Sequence, residues 1–338
     1  MAGYGKGEAR QWALERLRGV ANVIIPTFTG DLSALNEEAT RFDVRRDIEL
    51  GFAGALAVGE TATTAAEYVQ FVRWIAEEAS GKFLPIFHAT FNTLEENIEV
   101  ALACEAAGSE LVLLSYPPTF YPASEEDIYH YTKTFCDATN LGVILFPVPL
   151  CGFERLHPAS LSISLMERLV DDTPNIVAIK AEGGHPSLGG FTEAWRRLGE
   201  RVVVTMPLEH QAIPLATILP LRLIATSNTE YLGDRVPKML EMCQDGKHDQ
   251  AMELFWSCEP VRRANERIGA IGGANMVHRM AWKYQAWLTG FNGGPLRQPT
   301  ARLVASQMSM LRAAAAAAGV LCDESEPDER FFVGRNPR

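Results

Sequence analysis

The sequence lacks several features that would assign a protein to a class at once. It has no run of about 20 uninterrupted apolar residues, and residues 1–10 lack the apolar core of a signal peptide. Neither GxGxxG nor the Walker pattern GxxxxGKS/T follows the first apolar run. The six cysteines are scattered and form no CxxC pair. We therefore expect no membrane association, no structural zinc site, and reduced thiols of the kind found in a cytoplasmic protein.

Basic residues are also in the minority. The 338 residues include 31 Lys and Arg against 42 Asp and Glu, which gives a net charge of −11. This charge argues against nucleic acid or an acidic membrane surface as the main partner. With 47% hydrophobic and 22% charged residues, the composition is that of a globular protein with a substantial core. The length suits one large barrel domain or two ordinary domains.

Short β-branched or aliphatic runs alternate with longer amphipathic stretches from about residue 20 onward. The predicted strands are 21–28, 54–58, 83–89, 110–115, 142–146, 175–180, 202–206 and 222–227. The helix-like segments between them include 36–50, 64–80, 93–107, 124–139 and 158–170, and several open with capping signals such as Thr93-x-x-Glu96. Eight strand–helix units at this spacing predict a (β/α)₈ barrel, with a doubly wound sheet as the alternative.

Further helical segments follow the eighth unit at 248–268, 276–290 and 300–319. They exceed what a barrel needs for closure. We therefore predict a lead-in helix at 1–19, a barrel at 20–247, a C-terminal helical extension at 248–320 and a mobile tail at 321–338. Phe331 and Phe332 in that tail are either disordered or docked on a neighbouring subunit.

Lys180 is the most informative residue in the sequence. It ends the predicted strand 175–180, and active sites of barrels lie at the carboxyl ends of the strands. A desolvated lysine has a lowered pKa, and its neutral amine attacks carbonyl groups to form a Schiff base. The alternative is a solvated strand terminus. The other lysines, Lys283 among them, lie in turn-like or amphipathic helical surroundings.

The ends of the predicted strands supply further candidates. They carry hydroxyls, a carboxylate and imidazoles, but not the clustered His and carboxylate ligands of a barrel metallohydrolase. In chain order these candidates are Thr27, Glu60, Thr61, His88, Tyr121, Phe146, Lys180 and His210, whereas Asn228, which follows the last strand, is left outside the chemistry. This set favours electrophilic catalysis by Lys180 and predicts neither a metal site nor a cofactor.

Several segments together resemble the dihydrodipicolinate synthase / N-acetylneuraminate lyase family of Schiff-base barrel enzymes. The matching segments, spread over about residues 20–318, are Ile25-Pro26-Thr27-Phe28 with Asp31, Val58 to Thr63, Tyr116 to Tyr129, Leu145 to Pro149, Ile179-Lys180 and Leu288 to Pro299. The resemblance implies a (β/α)₈ barrel, Lys180 as the Schiff-base lysine, a small-molecule carbonyl substrate and a homo-oligomer, a dimer or a tetramer.

The sequence departs from the family pattern at the positions that define its usual reactions. Phe146 stands where the family has its proton-relaying tyrosine, and Phe120 where it has the tyrosine lent by a neighbouring subunit. Glu60 replaces a threonine of the loop that grips a keto-acid carboxylate, with Thr61 following it. Cys151 replaces an arginine, and His88 replaces a glycine. These changes argue against both dihydrodipicolinate synthesis and sialic acid cleavage.

We therefore expect a metal-independent lyase that uses a Lys180 Schiff base for aldol-type cleavage or condensation of a keto acid or related carbonyl compound. Glu60, His88 and Tyr121 are the candidates for proton transfer. Thr27, Thr61, Phe120, Phe146, Cys151 and His210 are the candidates for substrate binding. A dehydratase or hydratase using the same intermediate, and a ligand-binding homologue without turnover, remain alternatives. His88 is alternatively a core histidine, and the phenylalanines are alternatively core residues.

Overall fold

Eight parallel strands form the centre of the molecule. The computed structural model describes residues 3–117, 119–148, 151–181, 187–272, 279–298, 300 and 302–338. The strands are β1 (Gly19–Ile24), β2 (Gly54–Ala57), β3 (Leu84–Ala89), β4 (Leu111–Leu114), β5 (Gly142–Leu145), β6 (Ile176–Lys180), β7 (Val203–Thr205) and β8 (Leu223–Ala225). Each overlaps one predicted strand, which confirms the predicted (β/α)₈ fold.

Helices precede, separate and follow the strands. They are α1 (Ala9–Arg16), α2 (Glu37–Glu49), α3 (Ala65–Ala79), α4 (Leu94–Ala106), α5 (Glu125–Ala138), α6 (Ile163–Asp172), α7 (Ser187–Leu198), α8 (Glu209–Ala216), α9 (Arg235–Gln244), α10 (His248–Ser257), α11 (Glu259–Gly272), α12 (Arg279–Leu288), α13 (Ala305–Ala317) and α14 (Glu329–Val333). Side chains cap several of them: Asn36, Thr64 and Thr93 each accept a hydrogen bond from a backbone N–H of the first turn. None of these helices is long and apolar enough to cross a membrane.

The sheet runs in the order β7-β6-β5-β4-β3-β2-β1-β8, so β1 and β8 pair and the ribbon curls round on itself. A side chain bridges the remaining seam between β7 and β8. Oγ1 of Thr205 donates to the carbonyl of Leu223 at 2.9 Å and accepts from the backbone N–H of Ala225 at 2.9 Å. The threonine hydroxyl thus replaces part of the backbone hydrogen bonding that would join two paired strands at this seam.

The alternation of side chains along each strand divides the core into two layers. Leu113 and Ile144 point into the barrel, whereas Val112 and Val143 pack between the strands and the surrounding helices. A residue two positions beyond an inward-facing one faces inward as well. His88 follows Ile86, and Lys180 follows Ala178, so both project into the barrel at its carboxyl end.

The C-terminal extension differs from the prediction in one helix. The segment 248–268, predicted as one helix, is two helices that meet at Cys258. Pro260 lies in the first turn of α11, where its lack of an N–H and its fixed φ are tolerated, whereas in a continuous helix it would remove a hydrogen bond. Helix α12 is buried along almost its whole length.

The tail also differs from the prediction of a mobile segment. Phe331 is fully buried and packs against Trp287 and Tyr284 of α12. The guanidinium of Arg335 donates to the carbonyls of Trp287 and Phe291. The buried ring of Phe331 and these hydrogen bonds from Arg335 hold the segment in place. The neighbouring Phe332 is 46% exposed.

Candidate active site

A cavity of about 360 Å³ opens at the carboxyl ends of the strands. Its walls come from the barrel and from the C-terminal extension. The apolar part consists of Val23, Leu56, Leu113, Phe146, Leu208, Ile268 and Trp282. The polar part consists of Glu60, His88, Lys180, Thr226, Ser227, Asn228, Asn265, Glu266 and Arg279. A cavity of this volume accommodates a small organic substrate.

Lys180 and Phe146 meet at the base of this cavity. Lys180 is the last residue of β6 and is 5% exposed, and its Nζ lies 3.8 Å from the centre of the Phe146 ring. The ring presents an apolar surface to the amine where a tyrosine would offer a hydroxyl. Phe146 therefore contributes packing and ring electrostatics, but it has no proton to transfer.

His88 is the buried imidazole of the cavity wall. Its Nε2 lies 2.8 Å from Oγ of Ser115, and its Nδ1 lies 3.6 Å from Oε2 of Glu60. Glycine at position 59, next to Glu60, is required by close packing on Thr90, because a Cβ there would lie 2.6 Å from Cγ2 of Thr90. Burial lowers the pKa of His88 to about 4, although the Glu60 carboxylate opposes that shift. The imidazole is therefore neutral near pH 7.

Glu60 is held by a residue from outside the barrel. The guanidinium of Arg279, at the start of α12, forms an ion pair with the Glu60 carboxylate and lies 4.6 Å from the centre of the Trp282 ring. Desolvation is the largest single influence and would raise the pKa of Glu60, but the charge and hydrogen bond of Arg279 together with His88 outweigh it and lower the pKa to about 2. The carboxylate is therefore ionised beside the neutral imidazole of His88.

Arg279 and Trp282 are not among the predicted site residues, because their place at the cavity depends on how the extension packs on the barrel. Asn228 was predicted to have no part in the chemistry, although its position after the last strand is visible in the sequence. Asn228 and Thr226 both line the cavity beyond β8. Nδ2 of Asn228 and Oγ1 of Thr226 are buried and make no hydrogen bond to any described atom of the chain.

The hydroxyls of the two threonines predicted to bind substrate contact other groups of the protein. Oγ1 of Thr27 donates to the carbonyl of Gly293 at 2.9 Å and accepts from Nζ of Lys283 at 2.7 Å. The hydroxyl of Thr61 lies 3.5 Å from the carbonyl of Val58. Both threonines are 1% exposed, and neither belongs to the described cavity lining.

The remaining candidates also lie away from the described lining. Tyr121 is 79% exposed and carries the Arg155 guanidinium 3.7 Å above its ring. Phe120 packs on Tyr116 and Tyr131, with ring centres 5.7 and 4.7 Å apart. Cys151 is half-buried, and burial raises the pKa of its thiol to about 11. His210 is exposed in the first turn of α8. The structure thus brings together Glu60, His88, Phe146 and Lys180 of the ten candidates.

Lys283 is a second buried lysine, contrary to the amphipathic surroundings expected from the sequence. It is 3% exposed, and its Nζ donates to the carbonyl of Pro26 and to Oγ1 of Thr27, both at 2.7 Å. The cavity beside it has a volume of about 20 Å³, enough for about one water molecule. Space for a substrate therefore exists beside Lys180 and not in this small cavity.

The fold and the cavity define a (β/α)₈ barrel with a lysine at the end of its sixth strand. Residues 16–317 match the model of the dihydrodipicolinate synthetase family, so the chain belongs to this family, whose members are lyases. This membership confirms the resemblance found in the sequence.

Individual relatives are distant. The 4-hydroxy-tetrahydrodipicolinate synthase of Methanopyrus kandleri is 24% identical over 254 residues, which cover 74% of this chain and 81% of the relative. The crystal structure of dihydrodipicolinate synthase from Aquifex aeolicus has a TM-score of 0.77 at 18% identity and covers 91% of this chain and 100% of its own. N-acetylneuraminate lyase from Fusobacterium nucleatum has a TM-score of 0.74 at 17% identity, covering 90% and 99%. Identities this low show a shared fold.

Proposed function

We propose that this protein is a lyase that forms a Schiff base between Lys180 and a carbonyl substrate and catalyses aldol-type carbon–carbon cleavage or condensation. One observation carries the proposal: Lys180 and the buried imidazole of His88 line the same cavity, which is large enough for a small organic molecule. The substrate is a keto acid or a related carbonyl compound. A dehydration would pass through the same iminium and enamine.

The chemistry starts at the amine of Lys180. Its lone pair attacks the substrate carbonyl carbon to give a carbinolamine, which loses water to form an iminium. In the cleavage direction a base removes the proton of the β-hydroxyl, the Cα–Cβ bond breaks, and its electron pair moves to the iminium to give an enamine. Protonation of the enamine carbon and hydrolysis by water return the free amine and the second product.

His88 is the residue we assign to proton transfer. Its pKa of about 4 leaves the ring neutral and able to accept a proton near pH 7. The ionised Glu60 carboxylate, 3.6 Å from Nδ1, stabilises the imidazolium that then forms. The hydroxyl of Ser115, 2.8 Å from Nε2, holds the imidazole ring in place. This arrangement supplies the function that Phe146 cannot perform.

The cavity walls favour a substrate with an apolar body. Leu56, Leu113, Phe146 and Trp282 surround the approach to Lys180. Glu60 places a negative charge in the same space, and its Arg279 partner neutralises it. A second carboxylate on the substrate would find Arg279 already paired with Glu60, so we expect this site not to favour doubly acidic substrates.

Borohydride trapping tests the proposal. The protein is incubated with pyruvate and, separately, with aromatic and aliphatic aldehydes and ketones, reduced, and analysed by peptide mass mapping. We expect a mass increase on the peptide that carries Lys180, and we expect the Lys180→Met variant to lose both the adduct and turnover. The carbonyl compound trapped at the lowest concentration identifies the substrate class.

Two lysines serve as controls. Lys283 is equally buried but lies beside a cavity of only about 20 Å³, so its peptide should carry no adduct. The exposed Lys238, which pairs with Asp234, should be replaceable by alanine without loss of trapping. A folded protein that gives no adduct with any carbonyl compound would contradict the lyase proposal. It would favour a homologue that binds ligands without turnover.

We also propose that the protein assembles as a homo-oligomer, a dimer or a tetramer, and works in the cytoplasm. The support for the assembly is membership of the family alone, and the support for the location is the pattern of scattered cysteines without a CxxC pair. Light scattering at several protein concentrations tests the assembly, and a mass that stays at that of one chain would contradict it.

A further inference from the structure

Two buried polar atoms line the cavity at a place that has no part in the Schiff-base chemistry. Thr226 and Asn228 follow β8 and are 2% and 6% exposed. Oγ1 of Thr226 and Nδ2 of Asn228 make no hydrogen bond within the described part of the chain. The Oδ1 atom of Asn228 already accepts a hydrogen bond from Oγ of Ser227 at 3.4 Å. The amide N–H groups of Asn228 are therefore the groups that can donate to a ligand.

Buried donors without partners are uncommon in folded proteins, because their transfer out of water is costly unless a hydrogen bond replaces the lost ones. Here both groups border a cavity that a ligand can enter. A ligand oxygen that accepts from them removes this penalty, whereas an apolar group at the same place leaves it. The pair therefore discriminates between two ligands of equal shape.

The position of the pair relative to Lys180 sets the shape of the ligand. Strand β7 lies between β6, which carries Lys180, and the segment after β8. Neighbouring strands are about 4.8 Å apart, so roughly 10 Å separates the two places around the barrel. The side chains of Lys180, Thr226 and Asn228 extend into the cavity and take up part of this separation, so a benzene ring or a short carbon chain between a carbonyl and a second oxygen fits the remainder.

The charges in the cavity favour a neutral oxygen. Glu60 and Glu266 both line it, and the Arg279 guanidinium is engaged by Glu60. Thr226 and Asn228 are themselves uncharged. Lys180, the other cation of the described lining, is taken by the reacting carbonyl, and Glu266 adds a negative charge, so a carboxylate bound there would have no cation to itself.

We propose that Thr226 and Asn228 form a second subsite that binds a neutral oxygen-bearing group, a hydroxyl or a carbonyl, of the substrate. The substrate is then bifunctional: one carbonyl reacts with Lys180, an apolar spacer fills the middle of the cavity, and the second oxygen is held after β8. This inference rests on the proposed function for the identity of the reacting end. The recognition of the second oxygen is a separate property and can be tested separately.

The test compares three probes of similar shape, each in the 3- and the 4-substituted form. They are hydroxymethyl-, ethyl- and carboxymethyl-benzaldehyde, which differ only at the group directed to the subsite. The concentration that gives half-maximal borohydride trapping at Lys180 is measured for each. One hydrogen bond predicts that a hydroxymethyl probe is trapped at about threefold to tenfold lower concentration than its ethyl counterpart.

Variants identify the residues responsible. Thr226→Val keeps the shape and removes the hydroxyl, so the preference for the hydroxymethyl probe should fall to about onefold to twofold, and Asn228→Ala should reduce it as well. Thr173→Val is the matched control. Its hydroxyl is also buried without a described partner, but it lies before β6, away from the cavity, so the preference should persist. Thermal unfolding of each variant confirms that it is folded.

The outcomes separate the two proposals. Adducts at Lys180 without any preference among the probes would overturn the subsite and leave the Schiff-base proposal intact. Preferential trapping of the carboxymethyl probe would overturn the neutral class of ligand. If no probe is trapped, the Schiff-base proposal fails. Calorimetric titration with 4-(hydroxymethyl)- and 4-ethylbenzyl alcohol then decides the subsite, because these ligands have no carbonyl. Equal affinities for the two alcohols would overturn it.

Discussion

Nδ1 of His88 lies 3.6 Å from Oε2 of Glu60, and the same carboxylate is ion-paired with Arg279. The charge on Glu60 and on Arg279 changes the pKa of His88. The Glu60 carboxylate raises the pKa of His88, and Arg279 lowers it, while burial, the largest influence, holds it at about 4. Removing one partner at a time should therefore move this pKa in opposite directions.

Arg279→Met should raise the pKa of His88 above about 4, because a positive charge that opposes protonation is lost. Glu60→Gln should lower it further, because the carboxylate that favours protonation is lost. As the pH falls, His88 becomes protonated and can no longer accept a proton. This should happen at a higher pH in Arg279→Met and at a lower pH in Glu60→Gln. The measurement is an NMR titration of protein with ¹⁵N-labelled histidine, in which His88→Gln identifies the resonance. Shifts in the same direction in both variants would contradict this arrangement.

Lys283 and Asp43 are both buried and influence each other's charge, so their variants should show coupling in the free energy of unfolding. Burial raises the pKa of Asp43 and lowers that of Lys283, and each charge offsets the cost of the other. Lys283→Met removes the buried donor of the Pro26 carbonyl and the Thr27 hydroxyl as well as the charge that acts on Asp43, so we expect a loss of about 1–3 kcal/mol. Asp43→Asn together with Lys283→Met should cost clearly less than the two single losses combined. Urea unfolding measures the cycle, and additivity to within about 0.5 kcal/mol would show that the pair is uncoupled.

Phe331→Ala should lower the free energy of unfolding by about 3–5 kcal/mol, the range for deleting a buried ring. The ring is fully buried against Trp287 and Tyr284. Phe332, its neighbour, is 46% exposed and provides a matched control: Phe332→Ala should cost much less. Denaturant unfolding of the two variants checks the difference. Equal effects would indicate that the tail does not pack through Phe331.

Thr205→Val should weaken the seam of the barrel. Valine has the same shape but leaves the buried N–H of Ala225 without the hydroxyl that now accepts from it at 2.9 Å. The expected cost is about 1–3 kcal/mol. Thr134→Val, at an exposed position of α5, is the control and should change stability by less than about 0.5 kcal/mol. Hydrogen exchange of the Ala225 amide provides a local measure, and unchanged protection in Thr205→Val would contradict the role given to the hydroxyl.

The barrel could be predicted because short stretches of the sequence identify each of its strands and helices. An apolar run such as 175–180 identifies a buried strand by its length and flanking residues, and β6 runs from Ile176 to Lys180. The period of two along each strand then places Lys180 and His88 inside the barrel without any knowledge of the fold's long-range contacts. The positions of these two residues at one cavity follow from strand pattern and topology alone.

The extension could not be predicted in the same way. Arg279 reaches Glu60, 219 residues earlier in the chain, through a packing arrangement that no local pattern records. One signal was nevertheless present for Lys283. The residues of α12 are apolar around nearly the whole helix, which is typical of a buried helix, and a lysine on such a helix is buried with it. Thr27, Phe120 and Tyr121 lie in the loops that follow β1 and β4, where side-chain direction is decided by neighbours distant in sequence.

Trp282 forms part of the cavity wall, with the Arg279 guanidinium beside its indole ring. The fluorescence of an indole depends on the polarity and the charges around it, so a molecule that enters the cavity changes the light that this ring emits. The difference between the intact protein and a Trp282→Phe variant isolates this signal from the other tryptophans. The protein thus carries its own optical reporter for the screening of unlabelled ligands.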